Sequence, residues 1–382
     1  YLNLNDHENA MKDIIEVISN YNAMIRNEFS SLSPIEQKHY WREYKNFYEK
    51  KIPNYTSIFN HPFMNAAAYD AFLVSKGILL NSEMALNQIV LNSSNKSLLN
   101  TYNEIRNLQD KISSLYKQPL EEREENVNKL EIRLEELQRK LVKESKDFGD
   151  HMAYMNTSLD SIQANLDLFD VAIEFNKSCV DSLNTKYIAL ITTKDLYFPI
   201  LVELCNEEEL FEYVNGGSTI DTKIYELIWS PIMPHISGKK NIYFSASGLL
   251  HNISIENAIY PNGKLLSEDF AIYRLSSTRE LVTSKSVNNN SNTYLYGNIN
   301  YEASIDEIRD ANTKNNRLKG LASTSEENNY LFPINQTRGV VDFSPLAGTK
   351  NEIDNISKII INSKVYQETL ATEESIKILS GN

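Results

Sequence analysis

The apolar residues of this chain change their period near residue 166, and that change limits what the chain can fold into more than any other feature. Up to about residue 166 they recur every three to four positions, whereas from residue 170 they gather into short runs: VAIEF (171–175), YIALIT (187–192), NIYFSAS (241–247), FAIYRLSS (270–277) and TYLYGNIN (293–300). A pattern of period 3.6 cannot place one apolar face on a strand, and a run of four to eight residues is too short for a typical helix. The expected fold class is therefore α + α/β, with a helical region over 1–166 and an α/β region over 167–382. TKNEIDNISKIII (349–361) and TEESIKIL (372–379) return to helical spacing around a short strand at 364–367. Strands that alternate with helices favour a mainly parallel sheet.

In the helical region, Ser33-Pro34 before IEQKHYWREYKNFYEKKI reads as an N-cap and a first-turn proline, because serine accepts an orphan N–H and proline has none to lose. A second helix opens after Asn60-His61-Pro62 and carries Ala67, Ala71, Val74, Ile78 and Leu79 on one face. Residues 98–146 read as an antiparallel helical hairpin turning at Pro119. Tyr102, Ile105, Leu108, Ile112 and Leu115 form one stripe, Leu130, Leu134, Leu137 and Leu141 the other, and Glu135–Arg139 and Glu136–Lys140 are spaced as exposed ion pairs. SVNNNSN (286–292) and the polar segment 310–329 are expected to be surface loops. The second should be open to cleavage near Arg317, Lys319 or Glu326-Glu327.

Composition narrows the function. With 51 acidic against 38 basic residues, a net charge of −13 and no basic stripe, the chain is a poor partner for nucleic acid or an anionic membrane. No apolar run reaches the ~18 residues that span a bilayer. Two cysteines, Cys179 and Cys205, make no disulfide framework and have no metal-ligand spacing, which points to a reducing, cytoplasmic setting. The opening YLNLNDHENAMKDII has neither an initiator Met nor a signal segment, so the chain reads as part of a longer polypeptide.

The usual catalytic signatures are missing: no G-x-S-x-G, H-E-x-x-H, Walker A or G-x-G-x-x-G pattern occurs. Gly216-Gly217-Ser218-Thr219 lacks the lysine of a phosphate cradle and reads as a loop before a helix. The six histidines (His7, His39, His61, His151, His235, His251) are scattered. Glu207-Glu208-Glu209 suit a helix start, where the macrodipole favours acids. No catalytic, cofactor-binding or metal-binding residue is assigned, and no cofactor is expected.

Five segments in order carry a resemblance. AFLVSKGILL (71–80), SLDSIQANLDLFDVAIEF (158–175), YIALITTKDLYFPILVEL (187–204), IYELIWSPIMPHISGKKNIYFSASGLLH (224–251) and FSPLAGTKNEIDNISKII (343–360) together resemble the CHAT domain family, caspase-like cysteine peptidases often joined to tetratricopeptide repeats. Ser254-Ile255 stands where the family has Pro-Phe, and Ala347 where its leucine-proline-glycine turn has proline. The resemblance implies a tetratricopeptide-like helical region followed by the first part of a caspase-like sheet. It also implies a His/Cys dyad in His-Gly and Ser-Ala-Cys motifs, neither of which occurs in these 382 residues. His251, in Gly-Leu-Leu-His, is then a structural histidine whose ring bonds backbone near a turn. The implied function is that of the amino-terminal portion of a cysteine endopeptidase acting on a protein substrate and regulated through its helices. The alternative is a scaffold or adaptor with a degenerate caspase-like part that binds a protein partner through the helical region.

Overall fold

The computed structural model describes residues 6–119, 123, 125–146, 153–181, 184–215, 222–283, 293–318, 348–360, 362–372 and 375–376. The chain divides into two compact units, 1–284 and 285–382; the sequence boundary at 166/167 falls inside the first.

The first unit begins with α1 (His7–Phe29) and α2 (Pro34–Asn46). Ser33 caps α2 through a reciprocal box: Glu36 N donates to Ser33 Oγ at 3.4 Å, and Ser33 N donates to Glu36 Oε2 at 2.8 Å. A π-helical turn, Phe47–Lys51, joins α2 to α3 (Ile52–Phe59), whose second residue, Pro53, has no N–H to give. Next come α4 (Pro62–Ser75) and α5 (Ile78–Asn92). The helix expected to run through Ile78 and Leu79 breaks at Lys76-Gly77. Lys76 is extended and Gly77 left-handed (φ +63°), and an ideal Cβ on Gly77 would lie 2.9 Å from Asn81 Nδ2. Apolar spacing continues across the break, so it hides in the sequence.

The helical hairpin is α6 (Lys96–Lys117) and α7 (Val127–Ser145). Tyr102, Ile105, Ile112 and Leu115 meet Leu134, Leu137 and Leu141 in one buried seam flanked by Leu108 and Leu130. Arg139 pairs with Glu135 at 2.5 Å as spaced, and also with Glu36 of α2 at 2.8 Å. Glu136 turns to Arg133 at 3.4 Å instead of Lys140.

After α8 (Leu159–Asn165) the sheet strands are β1 (Asp170–Asp181), β2 (Asn184–Thr192), β3 (Ile200–Asn206), β4 (Asn241–Ser245) and β5 (Ala271–Leu275), in spatial order β3-β2-β1-β4-β5. β1 pairs in parallel with β4, and β4 with β5; β2 pairs antiparallel with both β1 and β3. In this five-stranded sheet four strands run the same way and β2 is reversed, because the links 182–183 and 193–199 are too short for a crossover. α9 (Glu207–Asn215) follows β3, with its three acids in the first turn. α10 (Thr222–Ile224) leads into a π-turn, Tyr225–Trp229, and α11 (Glu280–Thr283) follows β5.

Period-two burial separates the faces of the sheet. Val171, Ile173 and Phe175 join Tyr187, Ala189, Ile191, Ile242 and Phe244 against Trp229, while Ala172 and Leu190 face the helical layer with Tyr69, Phe72 and Leu166.

The second unit comprises β6 (Thr293–Ile299), α12 (Ile305–Leu318), α13 (Thr349–Ile359) and β7 (Ser363–Glu368), with β6 and β7 parallel. Gly297 lets α13 lie on β6, since a Cβ there would sit 2.8 Å from Ile353 Cγ2. The expected loop over 310–329 is helical up to Leu318; 319–329 lie outside the described residues. The helix is polar yet anchored. Ser304 and Glu307 form a capping box, Ala311 is buried, and Asn315 Nδ2 donates to Leu370 O at 3.3 Å. Residues 216–219 and 286–292 also lie outside the described residues, as does most of 372–379.

Candidate functional site at the strand ends

β1, β4 and β5 are parallel, so their carboxyl ends open the same way, and crevices at such ends are where α/β sheets hold ligands. Three connections converge there: the α4–α5 corner at Lys76, the turn Ser247–Asn252 after β4, and Ser276–Arg279 after β5.

A buried charged network joins them. Glu174, at the β1 position paired with Ser245, is fully buried, and its Oε2 lies 2.7 Å from Lys76 Nζ. Its Oε1 accepts Thr278 N at 2.8 Å and Thr278 Oγ1 at 2.6 Å. Lys76 Nζ also donates to Phe175 O (2.8 Å), Ser245 Oγ (3.0 Å), Ser245 O (3.1 Å) and Ala246 O (3.3 Å). Ser245 Oγ donates onward to Ser276 O at 2.9 Å, and Tyr69 Oη shares a 2.9 Å bond with Thr278 Oγ1. Arg279, 3% exposed, donates to Leu73 O and to Lys76 O (3.0 Å), the orphan carbonyls at the end of α4, with its guanidinium 4.8 Å from the Tyr154 ring centre. Burial pulls Lys76 below its usual value against the pull of Glu174, lowers Arg279, and pushes the Tyr69 phenol well above its own. A buried ion is costly unless paired, and Lys76 is the ion partner of Glu174 Oε2, which has no other hydrogen-bond partner among the described residues.

The Gly-Leu-Leu-His turn is set by its neighbours. Gly248 is left-handed (φ +56°), and a Cβ there would fall 2.6 Å from Tyr187 Oη. Leu249 N donates to that phenol oxygen at 2.8 Å, which donates to Glu207 Oε1 at 3.4 Å. From β5, Arg274 donates to Leu250 O (3.0 Å), Ile253 O (2.5 Å) and Glu256 (2.7 Å). Burial and the nearby Lys76 and Arg274 cations lower the His251 pKa. Its ring makes no hydrogen bond to a described residue; backbone bonds from Tyr187 and Arg274 hold the turn instead.

Cys179 lies on β1 and Cys205, a free cysteine, on β3, with β2 between them. The Asn54 side chain brackets the Cys179 backbone, accepting from its N and donating to its O, both at 2.6 Å. Cys205 is buried, and burial with Glu209 pushes its thiol up to about 11. Among the described residues no group of three or more His, Cys, Asp or Glu could hold a metal, and no helix is long and apolar enough to cross a membrane. A cleft of about 390 Å³ lined by Ala66, Leu159, Gln163, Leu196, Tyr197 and Phe198 opens beside the link between β2 and β3, at the amino ends of the parallel strands. None of the network residues lines it.

Sequence reasoning did not single out Glu174, Lys76, Thr278 or Arg279. The signal was one charge inside each of two apolar runs, VAIEF and AFLVSK, since Glu and Lys are almost never buried unless paired. Neither a protein-family model nor a curated protein matches the chain.

Proposed function

We propose that this chain is the amino-terminal portion of a CHAT-type cysteine endopeptidase: a tetratricopeptide-like helical region and the first part of a caspase-like sheet, with the His/Cys dyad following residue 382. The reading rests on one observation. The Gly-Leu-Leu-His turn leaves β4 at the carboxyl end of the central parallel strand, after an antiparallel β2–β3 hairpin and in the order of the family's segments. In the complete protein the histidine would take the thiol proton, the thiolate would attack the scissile carbonyl, the imidazolium would protonate the leaving amine, and water, deprotonated by the histidine, would cleave the resulting thioester to release the acid and restore the thiol, with no metal or organic cofactor required. The substrate would be a protein, and the helical region would regulate the activity.

The adaptor alternative draws on α5, where Leu80, Met84 and Leu91 are half or more exposed while Ile78, Leu86 and Val90 are buried. The coding sequence after Asn382 separates the two. A strand ending in His-Gly followed by a Ser-Ala-Cys strand is the expected result. A continuation with neither motif overturns the peptidase reading and leaves the adaptor.

A further inference from the structure

We propose that the α4–α5 corner organises the crevice: through Lys76 and Arg279 the helical layer holds the loops that follow β4 and β5, so the strand ends keep their shape only while the corner is seated.

The contacts cross in both directions. Lys76 leaves the helical layer and places five oxygens around an ammonium with three N–H groups; four of the five belong to Phe175, midway along β1, and to Ser245 and Ala246 at the end of β4. Arg279 leaves the loop after β5 and binds carbonyls of Leu73 and Lys76 at the end of α4. Glu174 closes the circuit, taking Lys76 on one oxygen and Thr278 on the other. A buried ion pair serving only to tie two layers would need none of the strand-end carbonyls. Here the corner supplies a donor to the last residue of β4 and to the residue after it, immediately before the Gly-Leu-Leu-His turn. The inference goes beyond the peptidase reading and does not depend on it, because it concerns which element shapes the crevice, whatever acts there.

Hydrogen exchange followed by mass spectrometry on the full 382-residue chain tests it, with Lys76→Met and the double variant Lys76→Met/Glu174→Gln. The single variant leaves a carboxylate buried without its cation and should melt lower. The double variant removes both charges, keeps an acceptor for Thr278 N, and should regain much of that loss. The expected result is that in the double variant amides 247–252 and 277–280 exchange at least ~10-fold faster than in the wild type, since each charge-assisted hydrogen bond lost exceeds a tenfold change in an opening equilibrium. Amides 187–191 and 200–204 of the β2–β3 hairpin should be unchanged. Wild-type exchange in both loops of the double variant overturns the proposal, as does an acceleration spread evenly over the sheet. Should the single variant fail to fold, the double variant carries the test alone, because it removes both members of the Lys76–Glu174 pair.

Discussion

Lys76 and Glu174 are charged residues in positions their neighbours fill with apolar side chains, and each is tolerable only because of the other. Removing one partner of such a pair typically costs ~3–5 kcal/mol, while removing both can be nearly neutral. Lys76→Met should therefore lower unfolding free energy by about 3 kcal/mol or more, and Lys76→Met/Glu174→Gln by much less, as measured by urea denaturation. Equal losses would mean that the two charges are not coupled. Cys205 gives a pH-dependent case. Its thiol titrates at about 11 in the folded protein against an ordinary 9, so the folded state holds the proton more tightly. The stability from keeping it neutral is fully present below pH 9 and is lost as pH rises through 11. Melting temperatures taken from pH 8 to 11 should fall more steeply for the wild type than for Cys205→Ala; parallel curves would refute the burial argument. A single sequence shows that a Glu and a Lys interrupt apolar runs, but residues 98 positions apart can be matched only once the sheet and helices are assembled.

At the scale of elements, legibility followed periodicity. The hairpin α6–α7 was readable because its stripes repeat for about three to four turns, and Leu134 is buried as that pattern requires. Leu134→Asp should put an unpaired charge in the seam and destabilise the arm by about 3 kcal/mol or more. An unchanged melting temperature would show the seam to be open. By contrast, α12 carries few apolar residues and is held by a cap and by Asn315 and Asn312 bonding the segment after β7, which no hydrophobic pattern reports. The Gly77 break was missed for the opposite reason, since apolar spacing persists on both sides of it. The turn after β4 depends on backbone conformation at one residue. Gly248→Ala should cost ~2 kcal/mol or more, combining the left-handed penalty for an L side chain with the clash against Tyr187 Oη. Full retention of stability would mean that the turn relaxes easily.

For the whole molecule, the sequence separated a helical half from an α/β half, whereas the contacts join the helices and the five-stranded sheet in one compact unit over 1–284 and set 285–382 apart. The reason is physical: a sheet carrying Ala172 and Leu190 on its second face needs a layer to cover them, and α1–α4 and α8 supply it. The helical region thus forms one wall of the sheet rather than an appended module. Peptide hydrolysis, assayed with a fluorogenic peptide library on this 382-residue chain and on the same chain extended by its natural downstream sequence, tests the central claim most directly. The account predicts turnover by the extended protein only, abolished when the cysteine of its Ser-Ala-Cys motif is changed to alanine. Turnover by the 382-residue chain itself, lost on Cys179→Ala or Cys205→Ala, would contradict it.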